Sequence, residues 1–370
     1  MTTAAQDLRF MTMALCLAAK GRGKTSPNPM VGALVVAKER IVGRGYHHGP
    51  GQPHAEILAI RQAGHRAKAA TLFVTLEPCS HHNKRTPPCV PAVIESGVRR
   101  VVVAMVDPNP SVKGRGLTQL RRAGLIVTVG VAQQEAEYLN RTYLHWVKTG
   151  RPYVILKAGM TLDGKIATAR GESRWITGAK ARQEVHQLRR TVDAIMVGSG
   201  TVIKDNPSLT ARVSENPLKL AARQPLRVVA DSRLRVPPSA KVLSKHARTL
   251  IATTTNVPRA KVRLIEQRGA KIVMLPAVRG RLVLRTLFAH LGKTGVTSVL
   301  IEGGSTLNAA ALRSRLVNHV VLYMAPTLMG GQDARAVIGD RSPGHLAQSM
   351  KLRNVTVRRV GDDVVVEGDL

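Results

Sequence analysis

Runs of four to seven mostly aliphatic residues recur along this chain, each followed by a stretch with helical spacing. In the first part they fall at residues 31–36, 71–76, 101–106 and 126–129, with helical patterns at 55–63 and 90–96 between them. Apolar runs of this length suit strands buried on both faces, and alternation with helices supplies the two covering layers. A helical pattern at 136–148 then runs into Gly150-Arg151-Pro152, where the alternation starts afresh. Strands are expected at 153–157, 194–197, 226–230, 249–252, 271–274, 298–301 and 317–323, and helices at 179–190, 259–267, 282–290 and 305–313. Residues 214–224 read as a surface loop, and 347–370 as two closing strands. At 370 residues the chain exceeds what one core usually organises. The expectation is α/β throughout, in two domains, 1–147 and 148–370.

The formal charge of +33, from 56 Lys and Arg against 23 Asp and Glu, raises a nucleic-acid reading through phosphate neutralisation. The cations are spread along the whole chain, and aromatic residues are only 3%, so no base-stacking surface is interleaved with them. A basic solvated surface is the blander account, and nucleic acid is not expected as a partner. Three cysteines, Cys16, Cys79 and Cys89, make no disulfide framework and point to a reducing compartment, with the cytoplasm as default. The apolar run 10–19 is too short to span a bilayer, and Asp7 offsets Arg9 before it, so a buried first helix is expected and no membrane association. Cys16, inside that run, reads as a packed core thiol.

His54-Ala55-Glu56 opens a helical stretch, Pro78-Cys79 follows a strand, and Pro88-Cys89 comes ten positions later. One imidazole and two thiolates suit zinc, and three protein ligands leave a fourth position for water, as hydrolysis requires. Glu56 is near enough to shuttle protons without binding the metal. His81 and His82, between the cysteines, offer the alternative of a closed structural site. The H-x-E…P-C pattern is that of zinc nucleobase deaminases, in which an activated water attacks the amino-bearing ring carbon.

Ser26-Pro27-Asn28-Pro29-Met30-Val31-Gly32, His54-Ala55-Glu56, Thr75-Leu76-Glu77-Pro78-Cys79-Ser80-His81 and Thr86-Pro87-Pro88-Cys89 resemble the deaminase domain of bifunctional riboflavin-biosynthesis proteins. The resemblance implies a cytidine-deaminase-like α/β/α sandwich. It makes His54, Cys79 and Cys89 the zinc ligands, Glu56 the proton shuttle, and Asn28, His47, His81 and Arg85 contacts of a pyrimidine ribose-phosphate. The loop between the cysteines is one residue longer than the family pattern, which leaves Lys84 and Arg85 as alternatives on the phosphate side.

The second half has no G-x-G-x-x-G, so a dinucleotide needs another phosphate cradle. Gly198-Ser199-Gly200-Thr201 and Gly303-Gly304-Ser305-Thr306 each follow a strand and enter a helix, where backbone amides and the helix dipole favour phosphate. The segment 162–167, the Trp175 region, Asp205-Asn206-Pro207-Ser208-Leu209-Thr210, Val229-Ala230-Asp231-Ser232 and Ile301-Glu302-Gly303-Gly304 resemble the reductase domain of the same family. That implies a dihydrofolate-reductase-like α/β fold and NADPH as reductant. Lys157, Ser173, Trp175, Arg189, Asp205, Leu209, Arg212 and Glu302 are the implied substrate contacts, the two arginines suiting a phosphate. Ala158, Thr201, Asp231, Ser232, Gly304, Ser305, Thr306 and Leu307 are the implied cofactor contacts. Without the resemblance, Trp175 reads as core and Arg189 as a solvated helix charge.

The implied chemistry is hydrolytic deamination of a phosphorylated diaminopyrimidinone, then reduction of its ribosyl group to ribityl. Two rivals stand beside it: a nucleoside or tRNA deaminase fused to a degenerate reductase-like domain, and a nucleic-acid-binding protein that uses the charge. The family resemblance also implies a homodimer through the reductase domain.

Overall fold

The computed structural model describes residues 3–81, 86–213, 220–339 and 341–370. The chain divides into two compact units, Met1–Gly150 and Arg151–Leu370. The first contains α1 (Ala4–Ala18), β1 (Gly32–Ala37), β2 (Arg40–Tyr46), α2 (Ala55–Ala63), β3 (Thr71–Val74), α3 (Cys89–Glu95), β4 (Arg100–Val103), α4 (Arg115–Arg122), β5 (Ile126–Val129), α5 (Gln133–Leu139) and α6 (Arg141–Thr149). Its sheet has the order β2-β1-β3-β4-β5, antiparallel across β2-β1-β3 and parallel from β3 to β5.

Side-chain alternation splits each strand between two cores. Ala33, Val35, Leu72, Val74, Val101 and Val103 pack with residues of α2, α3 and α4 on one face. Leu34, Val36, Phe73 and Val102 pack with α1, α5 and α6 on the other. This is the expected three-layer sandwich, and it explains why the strands read as unbroken apolar runs.

α2 lies unusually close on the sheet. A Cβ on Gly43 would stand 2.0 Å from the Ala59 carbonyl oxygen, and one on Gly45 2.2 Å from that of Ala55. Glycine on the strand and alanine on the helix are therefore the residues that set the position of α2, whose first turn carries His54 and Glu56. α1 starts with a capping box between Thr3 and Gln6, and Asp7 receives two hydrogen bonds from Arg100 on β4.

The structure departs from the sequence expectations at several points. Cys16 is exposed, because the buried stripe of α1 is Phe10, Met11, Ala14, Leu15 and Ala18, and position 16 falls outside it. The pattern at 136–148 is two helices, broken at Asn140, whose buried side chain accepts from Met30 N–H and donates to Met30 C=O. The strands expected at 71–76 and 101–106 end at Val74 and Val103. β2 and α4 were not expected.

The second unit contains β6 (Tyr153–Thr161), β7 (Lys165–Ala167), α7 (Ala179–Thr191), β8 (Ala194–Gly198), α8 (Ser199–Asp205), β9 (Leu226–Ala230), β10 (Thr249–Thr253), α9 (Arg259–Gln267), β11 (Lys271–Met274), β12 (Ala277–Val278), β13 (Arg281–Leu282), α10 (Leu284–Lys293), β14 (Ser298–Ile301), α11 (Ser305–Arg313), β15 (His319–Ala325), β16 (Arg335–Ala336), β17 (Arg353–Val360) and β18 (Asp363–Asp369). Its main sheet, β11-β10-β9-β8-β14-β6-β15-β18-β17, is parallel from β11 to β15, and the two closing strands are antiparallel. Both faces are covered: Ile155, Ile195, Val229 and Leu300 pack with α7 and α9, while Leu156, Met196, Val228 and Ile301 pack with α10 and α11. The loop expected at 214–224 falls largely on 214–219, outside the described residues. No helix among the described residues is long and apolar enough to cross a membrane.

Candidate active sites

In the first unit His54 is the N-cap of α2, Cys89 the first residue of α3, and Cys79 lies in the segment leaving β3. Backbone bonds from Cys89 and Val90 N–H to the Cys79 carbonyl join the last two. His54 Nδ1 stands 3.2 Å from Cys89 Sγ and 3.5 Å from Cys79 Sγ, while Nε2 faces Thr86 Oγ1 at 3.2 Å. The three donor atoms lie within 4.8 Å of one another, the one such grouping of metal-ligating side chains among the described residues. Among the described residues no fourth donor joins it: His81 is outside the grouping, and His82 lies outside the described residues.

Glu56 is 3% exposed, and its Oε2 has no hydrogen-bond partner among the described residues. Burial raises the Glu56 pKa above the usual carboxyl range, against the opposing pull of His54. A buried carboxylate oxygen without a donor costs about 1–3 kcal/mol, so its place beside three soft donors fits a zinc that brings water. Next to this triangle, Asn28 Nδ2 and His47 Nε2 are 3.1 Å apart, and the His47 and His54 rings meet edge to face at 5.2 Å. His81 is half-buried two residues after Cys79, and Arg85 lies outside the described residues.

Glu77 has no role readable from the sequence, although it lies within the motif. Its carboxylate accepts four backbone N–H groups, those of Asp107, Gly114, Gly116 and Leu117. A Cβ on Gly116 would lie 2.2 Å from the Pro78 carbonyl, so this turn packs directly on the segment that carries Cys79. Behind it Tyr143 donates to Asp107, whose carboxyl burial pushes up to about 6. Glu77→Gln turns an acceptor into a donor facing N–H groups. It is expected to weaken zinc binding by about tenfold to a hundredfold, as lost support for a metal ligand does. Competition with a chromogenic chelator measures this, and an unchanged zinc affinity would leave Glu77 a loop brace only.

In the second unit a cleft of about 710 Å³ opens at the C-terminal ends of the parallel strands, where open α/β sheets bind ligands. All eight residues implied for the substrate line it: Lys157, Ser173, Trp175, Arg189, Asp205, Leu209, Arg212 and Glu302. At its base Arg189 grips Glu302 with two bonds, Nε to Oε1 at 2.6 Å and Nη2 to Oε2 at 2.8 Å, and Lys157 Nζ stands 4.0 Å from the same carboxylate. Burial alone would raise the Glu302 carboxyl, but Arg189 and Lys157 outweigh it and hold it near 2. Burial also lowers the Lys157 ammonium. Arg189 is thus neither solvated nor free for a phosphate, whereas Arg212 Nε is buried without a partner among the described residues. Ser173 Oγ donates to Asp205. Trp175 is 71% exposed under the guanidinium of Arg182, at the cleft and not in a core.

The implied cofactor contacts divide. β8 and β14 are neighbours, which brings the two glycine turns together: Thr201 Oγ1 would be 3.5 Å from a Cβ on Gly304. No side chain caps α8 or α11, leaving their first amides for an anion, and Ala158, Thr201 and Gly304 line the cleft. This cradle fits a dinucleotide. Ser305 and Thr306 form the first turn of α11, and Leu307 packs over Gly303. Asp231 instead accepts from Arg235 and Val236 N–H, closing its own turn, and Ser232 Oγ accepts from Leu282 N–H. These five do not line the cleft.

Residues 4–105 match the family model for the cytidine and deoxycytidylate deaminase zinc-binding region, and residues 152–366 that for the RibD C-terminal domain. The chain is 43% identical over 366 residues to the riboflavin biosynthesis protein RibD of Escherichia coli (strain K12), spanning 97% of this chain and 98% of that one. It is 42% identical over 363 residues to that of Actinobacillus pleuropneumoniae, spanning 98% and 94%. Among solved structures, Acinetobacter baumannii RibD superposes over all of both chains with a TM-score of 0.89 at 38% identity. The diaminohydroxyphosphoribosylaminopyrimidine deaminase/5-amino-6-(5-phosphoribosylamino)uracil reductase of Thermotoga maritima does so over 99% of each, with a TM-score of 0.86 at 34% identity. The chain belongs to the RibD family, the bifunctional deaminase/reductases of riboflavin biosynthesis.

Proposed function

We propose that residues 1–147 deaminate 2,5-diamino-6-(5-phosphoribosylamino)pyrimidin-4(3H)-one and residues 148–370 then reduce the ribosyl group of the product to ribityl. The observation that carries the first step is the His54, Cys79 and Cys89 triangle beside the unpartnered Glu56 oxygen. When bound, zinc supplies an activated water there and NADPH supplies a hydride in the second unit. His54, Cys79 and Cys89 hold the metal. Glu56, buried and able to carry a proton, moves it between the water and the departing amine. Asn28, His47, His81 and Arg85 take the pyrimidine ribose-phosphate. In the second unit Arg212 meets the substrate phosphate, Lys157 and Glu302 face the ribosyl carbon, and Ser173, Trp175, Asp205 and Leu209 shape the cleft around it. The cradle of Ala158, Thr201 and Gly304 to Leu307 receives the dinucleotide phosphates. The structural bonds of Asp231 and Ser232 favour a part in shaping the cofactor loop over direct contact.

The protein works in the cytoplasm as a homodimer joined through its reductase units, with its positive charge on solvated surface and not on nucleic acid. Zinc-loaded protein given the diaminopyrimidinone without NADPH is expected to release ammonia, and to oxidise NADPH only once that is added. No ammonia despite bound zinc would overturn the deaminase reading. Oxidation that precedes ammonia release would overturn the order. Salt-titrated RNA binding tests the charge, since phosphate-driven affinity falls steeply with salt.

A further inference from the structure

Among the described residues Trp175 is the most exposed aromatic, at 71%, although it lies in the wall of the reductase cleft. A ring of that size left open to water is an unused contact surface, since covering its apolar area is favourable. Its position is nonetheless fixed. The Arg182 guanidinium carbon lies 4.6 Å from the indole centroid, within cation–π range. Arg182 is itself held, for it stands on α7 and its Nη1–H donates to the Thr177 carbonyl at 2.7 Å. The start of α7 is seated in turn by Gly178 N–H, which donates at 2.8 Å to the buried carboxylate of Asp363 on β18. On the preceding side, Ser173 Oγ and the Arg174 guanidinium both bond Asp205, which ties the segment to the cleft wall of Asn206 to Leu209.

Two planar rings meet in a reductase site of this kind, the aminouracil of the substrate and the nicotinamide of the cofactor. The charges around the indole choose between them. Arg182 stands 4.6 Å and Arg174 5.8 Å from its centroid. A guanidinium draws on the negative π cloud of the indole, so what remains open of the ring favours an electron-rich partner. The nicotinamide turns cationic as it gives up its hydride, and two neighbouring guanidinium groups oppose that charge. The aminouracil stays neutral, and its amino groups enrich its ring.

We propose that Arg182 is a positioning residue of the reductase site, holding Trp175 as a ready stacking surface for the pyrimidine ring of the substrate. A ring already fixed loses little freedom when the ligand arrives, so more of the contact appears as affinity. Arg182 acts through Trp175 and does not touch the reacting atoms. This rests on the reductase reading above, and the experiment separates the two. The probes are 5-amino-6-(5-phosphoribosylamino)uracil and NADP+. Trp175 emission is titrated with each alone in a Trp146→Phe background, which leaves Trp175 as the single tryptophan of the chain. NADPH oxidation is followed in wild type, Arg182→Met, Arg182→Lys, Trp175→Ala and the Trp175→Ala, Arg182→Met double variant.

The aminouracil is expected to quench Trp175 emission saturably, and NADP+ alone to leave it largely unchanged. Arg182→Met raises KM for the aminouracil about threefold to thirtyfold, the worth of a cation–π contact, with kcat nearly kept. KM for NADPH stays at the wild-type level. Arg182→Lys, which keeps a cation on a long stem, restores part of the loss. Once Trp175 is alanine, adding Arg182→Met raises KM no further, because the residue it acts through is gone. An Arg182→Met effect of equal size with and without Trp175 overturns the proposal, since Arg182 then meets the ligand itself. Quenching by NADP+ and not by the aminouracil overturns it as well. Should Arg182→Met fail to fold, Arg182→Gln takes its place in the cycle; should Trp146→Phe fail, the emission difference between wild type and Trp175→Ala gives the same reading. A wild type whose Trp175 is quenched by the aminouracil but which oxidises no NADPH overturns the reductase reading and leaves the stacking surface standing.

Discussion

Glutamine in place of Glu56 is expected to cut ammonia release by about two to four orders of magnitude, the usual worth of a positioned acid–base group. Zinc content should stay at the wild-type level. The substitution keeps the size and one acceptor of the side chain and removes only the proton it can carry. Glu56 lies in the first turn of α2, held by a helix that rests on Gly43 and Gly45, so the same shape has the same place to sit. His54, Cys79 and Cys89 are untouched. NADPH oxidation with the deaminated substrate should also be unchanged, since no residue of the second unit is altered. Metal analysis beside both rates separates the alternatives. Loss of zinc would make Glu56 a structural prop, and ammonia release within tenfold of wild type would remove it from the proton path.

The parts of this molecule legible in the sequence are those specified by neighbours along the chain. β5, β9, β11 and β14 and the helices α2, α9 and α11 stand where their apolar patterns put them. β2 was hidden because its outward residues are arginines and two of its inward ones are glycines, chosen for the approach of α2 and not for strand propensity. Its turn also uses Lys38 and Glu39 at positive φ, without the glycine that would have announced a hairpin. The break at Asn140 depends on a bond to Met30, 110 residues away, which no local pattern reports. The zinc triangle was legible because few residue types bind that metal. The reductase cleft was legible only through family resemblance, since the pairing of Arg189 with Glu302 spans 113 residues of sequence.

That long-range pairing predicts the largest stability effect in the second unit. Glu302→Gln leaves Arg189 and Lys157 buried without their counter-charge, and breaking such a pair costs about 3–5 kcal/mol. The reductase unit should melt earlier and lose its activity, while deamination survives at temperatures below the new transition. The pH dependence identifies the cause. In wild type the Glu302 carboxyl is held near 2 against an ordinary 4.5, so its contribution is complete above the ordinary value and is lost only as pH falls from there through 2. Stability from this ion pair is therefore flat between pH 5 and 8. Of the two cations the variant leaves unpaired, Lys157 is the one that titrates, an ammonium whose pKa burial lowers below its ordinary 10.5. The unfolded chain then binds the proton more tightly than the folded one, and stability rises with pH until the free lysine itself titrates. Glu302→Gln should accordingly recover stability between pH 7 and 10 more steeply than wild type. Adding Lys157→Met should flatten that slope and return part of the loss, because a methionine of similar length removes one of the two buried charges left without a partner. Denaturant unfolding of the three proteins at pH 7 and pH 10 measures each term, and a Glu302→Gln variant whose stability ignores pH would show that Glu302 is the counter-charge of Arg189 and not of Lys157.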